Sequence, residues 1–185
     1  MKNKLLLSLS LFLTIFSVFS QKEIKNATVE KTIFGLQTGL FGAWAYNETR
    51  LADEVSLRSE IGMNLGIWGG SFYPRTGYIL YPTVSVEPRY YYNLKRRVKL
   101  GKEIAHNSGN YFSLKTTYGS DLFAVSNYDI VVNNHITVVP KWGLRRSFAK
   151  HFEYEFSTGI GYVHDFEINK GGAFLDIGFR IGFRF

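Results

Sequence analysis

A chain of 185 residues, 45% hydrophobic, 17% aromatic and 20% charged, holds the material for one domain. It contains no cysteine, which excludes disulfides, thiolate metal sites, thiol nucleophiles and a lipidated cysteine anchor. The formal charge of +7 is modest and not gathered on a recognisable module, so it argues against nucleic acid and suits anionic headgroups or lipopolysaccharide phosphates better.

Residues 1–20 read as a cleaved signal peptide: Lys2 and Lys4 form a basic start, Leu5 to Phe19 an apolar run, and Val18-Phe19-Ser20 a cleavage site before Gln21. The run falls short of the ~20 residues that a helix needs to cross hydrocarbon. Loss of Lys2 and Lys4 would lower the charge from +7 to +5. No later segment has a continuous apolar run of spanning length, so a mature chain entering a membrane must do so with strands.

Residues 21–31 form an N-terminal segment that could supply a first strand, and 32–185 is the expected barrel. From there the chain alternates between apolar and polar residues, the period of a half-buried strand. Phe34, Leu36, Leu40, Trp44 and Tyr46 alternate with Gly35, Gln37, Gly39 and Ala43, and are read as one strand. Val55, Leu57, Ile61, Met63, Leu65 and Ile67 follow, then Val84, Val86, Tyr90 and Tyr92, then Phe112, Leu114 and Tyr118. The segment 135–147 presents Ile136, Val138, Trp142 and Leu144, interrupted by Pro140, where a bulge or locally broken pairing is expected because proline lacks the ladder donor. Phe152, Tyr154, Phe156, Ile160, Tyr162 and Phe166 make the next strand, and Leu175, Ile177, Phe179, Ile181, Phe183 and Phe185 the last. These are seven strands; bacterial barrels close with an even number, so an eighth is hidden, at 24–32 as first choice or 122–132 as second.

The fold class expected is all-β, an antiparallel up-and-down transmembrane β-barrel of eight strands. A lipocalin-like soluble barrel would alternate equally well, with its apolar face inward. Volume favours the membrane form: about thirty bulky apolar side chains share one face, more than an eight-stranded interior accepts. The other face carries Arg58, Arg89, Lys115, Lys141, Arg145, Arg180 and Arg184 against Glu60, Glu87, Glu153, Glu155, Asp165 and Asp176, seven cations to six anions. Such near-cancellation suits a narrow lumen plugged by ion pairs, because an unpaired buried charge costs several kcal/mol. Trp44, Tyr46, Tyr90, Tyr92, Trp142 and Tyr162 fall towards strand ends, where aromatic rings favour the headgroup level.

Counting back from a last strand that ends in the periplasm places 167–172, 119–134 and 69–82 outside, and 47–54, 94–109 and 148–151 inside. Phe72, Tyr73, Tyr78 and Tyr81 then become candidate external contacts, since aromatic rings supply contact area. The long inner segment is basic, with Lys95, Arg96, Arg97, Lys99 and Lys102, and could meet anionic headgroups or a periplasmic partner, or simply be solvated.

Leader, alternating strands and aromatic terminus together resemble the small OmpX-like and OmpA-type outer-membrane β-barrels of bacteria. In that family the last strand carries an assembly signal, polar-x-Gly-x-x-hydrophobic-x-aromatic, which Asp176, Gly178, Ile181 and Phe183 match, with Phe185 as the terminal aromatic. The resemblance implies outer-membrane lipid, lipopolysaccharide and the barrel-assembly machinery as partners. Outer-membrane lipid A deacylases are similar in size and use a His-x-Ser pair; His106-Asn107-Ser108 is the one such triplet, in a polar turn without an assignable acid. His135, His151 and His164 lack metal-ligand spacing, and Gly159-Ile160-Gly161 lacks the context of a dinucleotide loop. No cofactor is expected. A structural or adhesive barrel ranks first, followed by a lipid-modifying enzyme and a soluble ligand carrier.

Overall fold

The computed structural model describes residues 27–185; the expected leader and residues 21–26 lie outside them. The strands are β1 (Thr32–Gly39), β2 (Gly42–Ala52), β3 (Val55–Trp68), β4 (Gly77–Tyr90), β5 (Asn110–Gly119), β6 (Val125–Ser126), β7 (His135–Phe148), β8 (Phe152–Asp165) and β9 (Lys170–Arg184). Eight of them close a ring in which each pairs antiparallel with its neighbours in sequence and β9 returns to β1; β6 only adds two residues to the edge of β4. The ladders differ in length. β8 and β9 pair over fourteen residues, whereas β1 and β9 pair over five, from Gly35 with Arg184 to Gly39 with Arg180. An apolar groove lined by Leu36, Ala45, Phe152, Ile181 and Phe183 runs beside this short seam.

The faces separate as the alternation requires. Leu36, Ile61, Val84, Val86, Phe112, Leu114, Ile160, Leu175, Ile177 and Phe179 are exposed on the outside, while Ser56, Arg58, Glu60, Thr83, Ser85, Glu87, Arg89, Glu153 and Glu155 are buried inside. A closed ring leaves no unpaired edge, which is the condition for strands to lie in hydrocarbon.

The hidden strand lies within the segment read as one strand over 34–46. The chain turns at Leu40 and Phe41, splitting that segment into β1 and β2. Gly39 pairs with Gly42, so each pair joins an even-numbered to an odd-numbered residue: Leu36 shares a face with Ala45, and Gln37 with Trp44. Even-numbered residues therefore point out before the turn and in after it. Gly42 has φ of 142°, and a Cβ there would stand 2.1 Å from the Met63 carbonyl oxygen, so the turn requires glycine. Trp44 and Tyr46, expected at the lipid surface, are instead buried in the lumen.

Neither segment first assigned to the eighth strand supplies it. The described part of 24–32 contributes only Thr32 to β1; residues 27–31 cross the mouth of the barrel, where the Val29 N–H donates to the Asp53 carbonyl (2.8 Å). The segment 122–132 supplies only β6. At Pro140 the β5 ladder continues, but pairing with β8 stops at Val138–Tyr162 and resumes at Lys141–Gly159 in the same register: a locally broken pairing without a bulge.

One mouth is closed. Helix α1 (Leu94–Lys99) and a 3₁₀ turn (Ala105–Asn107) fold across it with the N-terminal segment, burying Ala27, Val29, Tyr91, Leu94 and Tyr111 in a small apolar core against Val98 and Ile104. The 53–54 and 149–151 turns and the last strand's end share this side. The opposite side carries the 40–41 turn, the 69–76 and 120–134 loops and the 166–169 turn.

Candidate functional site

Four arginines and four glutamates make up most of the ionic lumen near the closed end. Glu48, from β2, is at their centre. One carboxylate oxygen accepts hydrogen bonds from Ser56 (2.8 Å), Tyr91 (2.9 Å) and Asn107 (2.7 Å). The other stands 2.8 Å from Arg145 Nη1, outside hydrogen-bond alignment, and 3.8 and 3.7 Å from Arg58 and Arg89. Arg89 binds both oxygens of Glu155 at 2.9 Å and Glu87 at 2.6 Å, a fork that only a guanidinium can make. Glu153 accepts from Gln37 (2.6 Å) and Tyr46 (2.7 Å), with Arg184 3.5 Å away. The Tyr46 ring is a platform for Arg58 at 3.7 Å, and Tyr111 for Arg89 at 4.3 Å. All eight charges are buried.

Towards the loop end the lumen loosens into a vestibule of about 200 Å³. Two of its lining cations, Lys115 and Arg180, bind Glu60 (2.5 and 2.8 Å), which also binds Arg58 (2.6 Å). Trp44 forms one wall, with Arg180 3.9 Å from its ring, and Thr83, Ser85, Thr117 and Thr137 supply hydroxyls. Lys141 pairs with Asp176 at 2.9 Å, and the Asp176 side chain keeps 26% of its surface exposed.

The 69–76 and 120–134 loops are docked to each other. Asn127 accepts from the Tyr78 N–H (2.9 Å) and donates to the Thr76 carbonyl (2.8 Å); Tyr128 donates to the Arg75 carbonyl (2.8 Å), and Arg75 donates to the Asn127 carbonyl. Phe72 (97%), Val131 (84%) and Leu122 (80%) are exposed around this junction.

At the closed end Asn107 has φ of 62° and bridges two elements, accepting from the Glu30 N–H (2.7 Å) while donating to Glu48. Burial, joined by the charge of Arg184, holds the His106 imidazole below its ordinary value, although Glu30 and Glu103 pull the other way. Ser108 Oγ donates to Ser147 Oγ (2.9 Å) and accepts from the Ser147 N–H (2.9 Å). The His106-Asn107-Ser108 triplet thus forms part of the closed end, with Ser108 bonded to Ser147.

The structure places Arg58, Glu60, Glu87, Arg89, Lys115, Lys141, Arg145, Glu153, Glu155, Asp176, Arg180 and Arg184 around one lumen. Asp165 sits apart at the loop end, where it accepts from Asn133 (2.9 Å). Glu48 escapes the sequence reading because 47–54 is assigned there to a turn, and Trp44 and Tyr46 because the hairpin inverts their side, whereas Gln37 lies on the polar face where the alternation puts it. Of the terminal motif, Asp176 belongs to the vestibule and Gly178 lies beside Ser157, while Ile181, Phe183 and Phe185 are exposed. Phe72 and Tyr73 lie in the 69–76 loop. Tyr78 and Tyr81 belong to β4, because that strand begins at Gly77, and Tyr81 lines the vestibule, its ring 5.5 Å from that of His135. Comparisons with family models, curated proteins and solved structures return no match, so the geometry alone carries the functional argument.

Proposed function

We propose that this chain is an exported bacterial outer-membrane β-barrel of structural or adhesive type, plugged by its own side chains and presenting the joined 69–76 and 120–134 loops at the cell surface. The observation that carries the reading is its inversion: the eight-stranded ring turns its bulky apolar side chains outward and encloses a dense ionic network. In water that arrangement exposes an apolar belt far beyond the patches soluble monomers tolerate, whereas in a bilayer the belt meets acyl chains. The order of charges inside also disfavours a carrier of apolar ligands. Two sequence features, the basic-apolar start and the aromatic last strand, agree with export and insertion.

Fractionation followed by gel migration with and without heating tests the proposal. Recovery in outer membranes with heat-modifiable migration is the expected result; a soluble, detergent-independent protein sinks it. Reconstituted in planar bilayers, the plugged barrel should carry no steady ionic current.

A further inference from the structure

The closed end carries a cluster of cations that the ionic lumen does not use. Arg96, Arg97, Lys102 and Arg146 surround a concavity of about 290 Å³ with Tyr92 and Leu100. Two of these guanidiniums are fixed by neutral acceptors: Arg97 donates to the Glu103 carbonyl through Nε (3.1 Å) and Nη2 (2.8 Å), and Arg146 to the Gly109 carbonyl (2.9 Å), the Arg145 carbonyl (2.6 Å) and Asn110 Oδ1 (2.6 Å). Among the described residues none of the four cations forms an ion pair with a carboxylate; Lys95, further along α1, has Glu54 at 3.7 Å. The orientation of Arg97 and Arg146 is set, and among the described residues none of the four cations has a carboxylate within ion-pair distance.

The concavity borders the outward apolar face. Tyr92 stacks on Phe112 with ring centroids 5.1 Å apart and accepts a hydrogen bond from Trp142 Nε1 (2.9 Å), while Leu100 is 58% exposed beside the cations. Such a seat offers fixed donors to an anionic head and an aromatic wall to the chain below it. Soluble phosphate would use only the first part.

We propose that Arg96, Arg97, Lys102 and Arg146 form a binding site for the phosphate of an anionic glycerophospholipid, in the leaflet that faces the closed end of the barrel. This rests on the membrane reading above. The site anchors the α1 segment to the bilayer and fixes the depth at which the barrel sits.

The full protein is reconstituted into phosphatidylcholine vesicles with and without phosphatidylglycerol, released in mild detergent, and its retained lipid weighed by native mass spectrometry. Phosphatidylglycerol should be retained at about fivefold or more over its bulk share, the scale of one basic residue at an anionic surface, and less at high salt. The triple variant R96Q/R97Q/K102Q should retain lipid at the bulk ratio while keeping heat-modifiable migration. The variant R75Q/K170Q, at the opposite end, should retain phosphatidylglycerol like the parent. Insertion with bulk-ratio lipid in the parent overturns the site and leaves the membrane reading standing; failure to insert overturns both. If inorganic phosphate displaces the retained lipid at equimolar amounts, the acyl wall contributes nothing and the lipid assignment falls.

Discussion

The two ends of the lumen are both lined by charged side chains, yet use them differently. Near the closed end Glu48, Arg58, Arg89, Arg145 and Glu155 are fully or almost fully buried and each meets several partners. Near the loops Lys141 and Asp176 form a simple pair at the wall of a vestibule, with Lys141 buried and Asp176 partly exposed. The same chemistry is thus structural at one end and adjustable at the other, because burial decides what losing a partner costs.

The largest effect should come from Glu48→Gln. It leaves three arginines facing a neutral group in a dry interior, and about 3–5 kcal/mol of unfolding free energy should be lost, read from denaturant titration in vesicles. Asp176→Asn removes a carboxylate with solvent access and leaves Lys141 beside the vestibule without its partner; about 1–3 kcal/mol is expected on the same titration. Equal losses for the two variants would erase the distinction between the ends.

The smallest effect sharpens the comparison by pH. The folded closed end holds the His106 imidazole below its ordinary value of 6.5, so the unfolded chain takes up the proton first as pH falls. The stability that depends on neutral His106 is complete above 6.5 and is lost as pH drops through the lower folded value. His106→Gln should flatten that part of the stability profile; a profile unchanged by the substitution would remove His106 from the closed end's pH response.

The barrel was legible in the sequence because period-two alternation survives across the last three strands without help from tertiary contacts. The missing strand was not, and the reason is arithmetic. A two-residue turn after Gly39 keeps Leu36, Leu40, Trp44 and Tyr46 in step along the sequence while transferring Trp44 and Tyr46 to the other face in space. Tight turns usually advertise themselves with Asn-Gly or Asp-Gly; here the turn residues are Leu40 and Phe41, and the signal is the glycine pair on either side. Glu48 was lost with the same strand, and with it the centre of the ion network. The lumen charges of β3, β4, β7 and β8 were readable because alternation there keeps its phase, even across Pro140, but their grouping into a packed end and a vestibule depends on cross-strand register that no single segment displays.

The short seam between β1 and β9 has a consequence for how the ring breathes. Five paired residues close a circle whose neighbouring β8–β9 ladder has fourteen, so opening there sacrifices the fewest backbone bonds. The amide protons of Leu36, Thr38, Ile181 and Phe183, which point across this seam, will exchange with solvent deuterium ahead of those in every longer ladder.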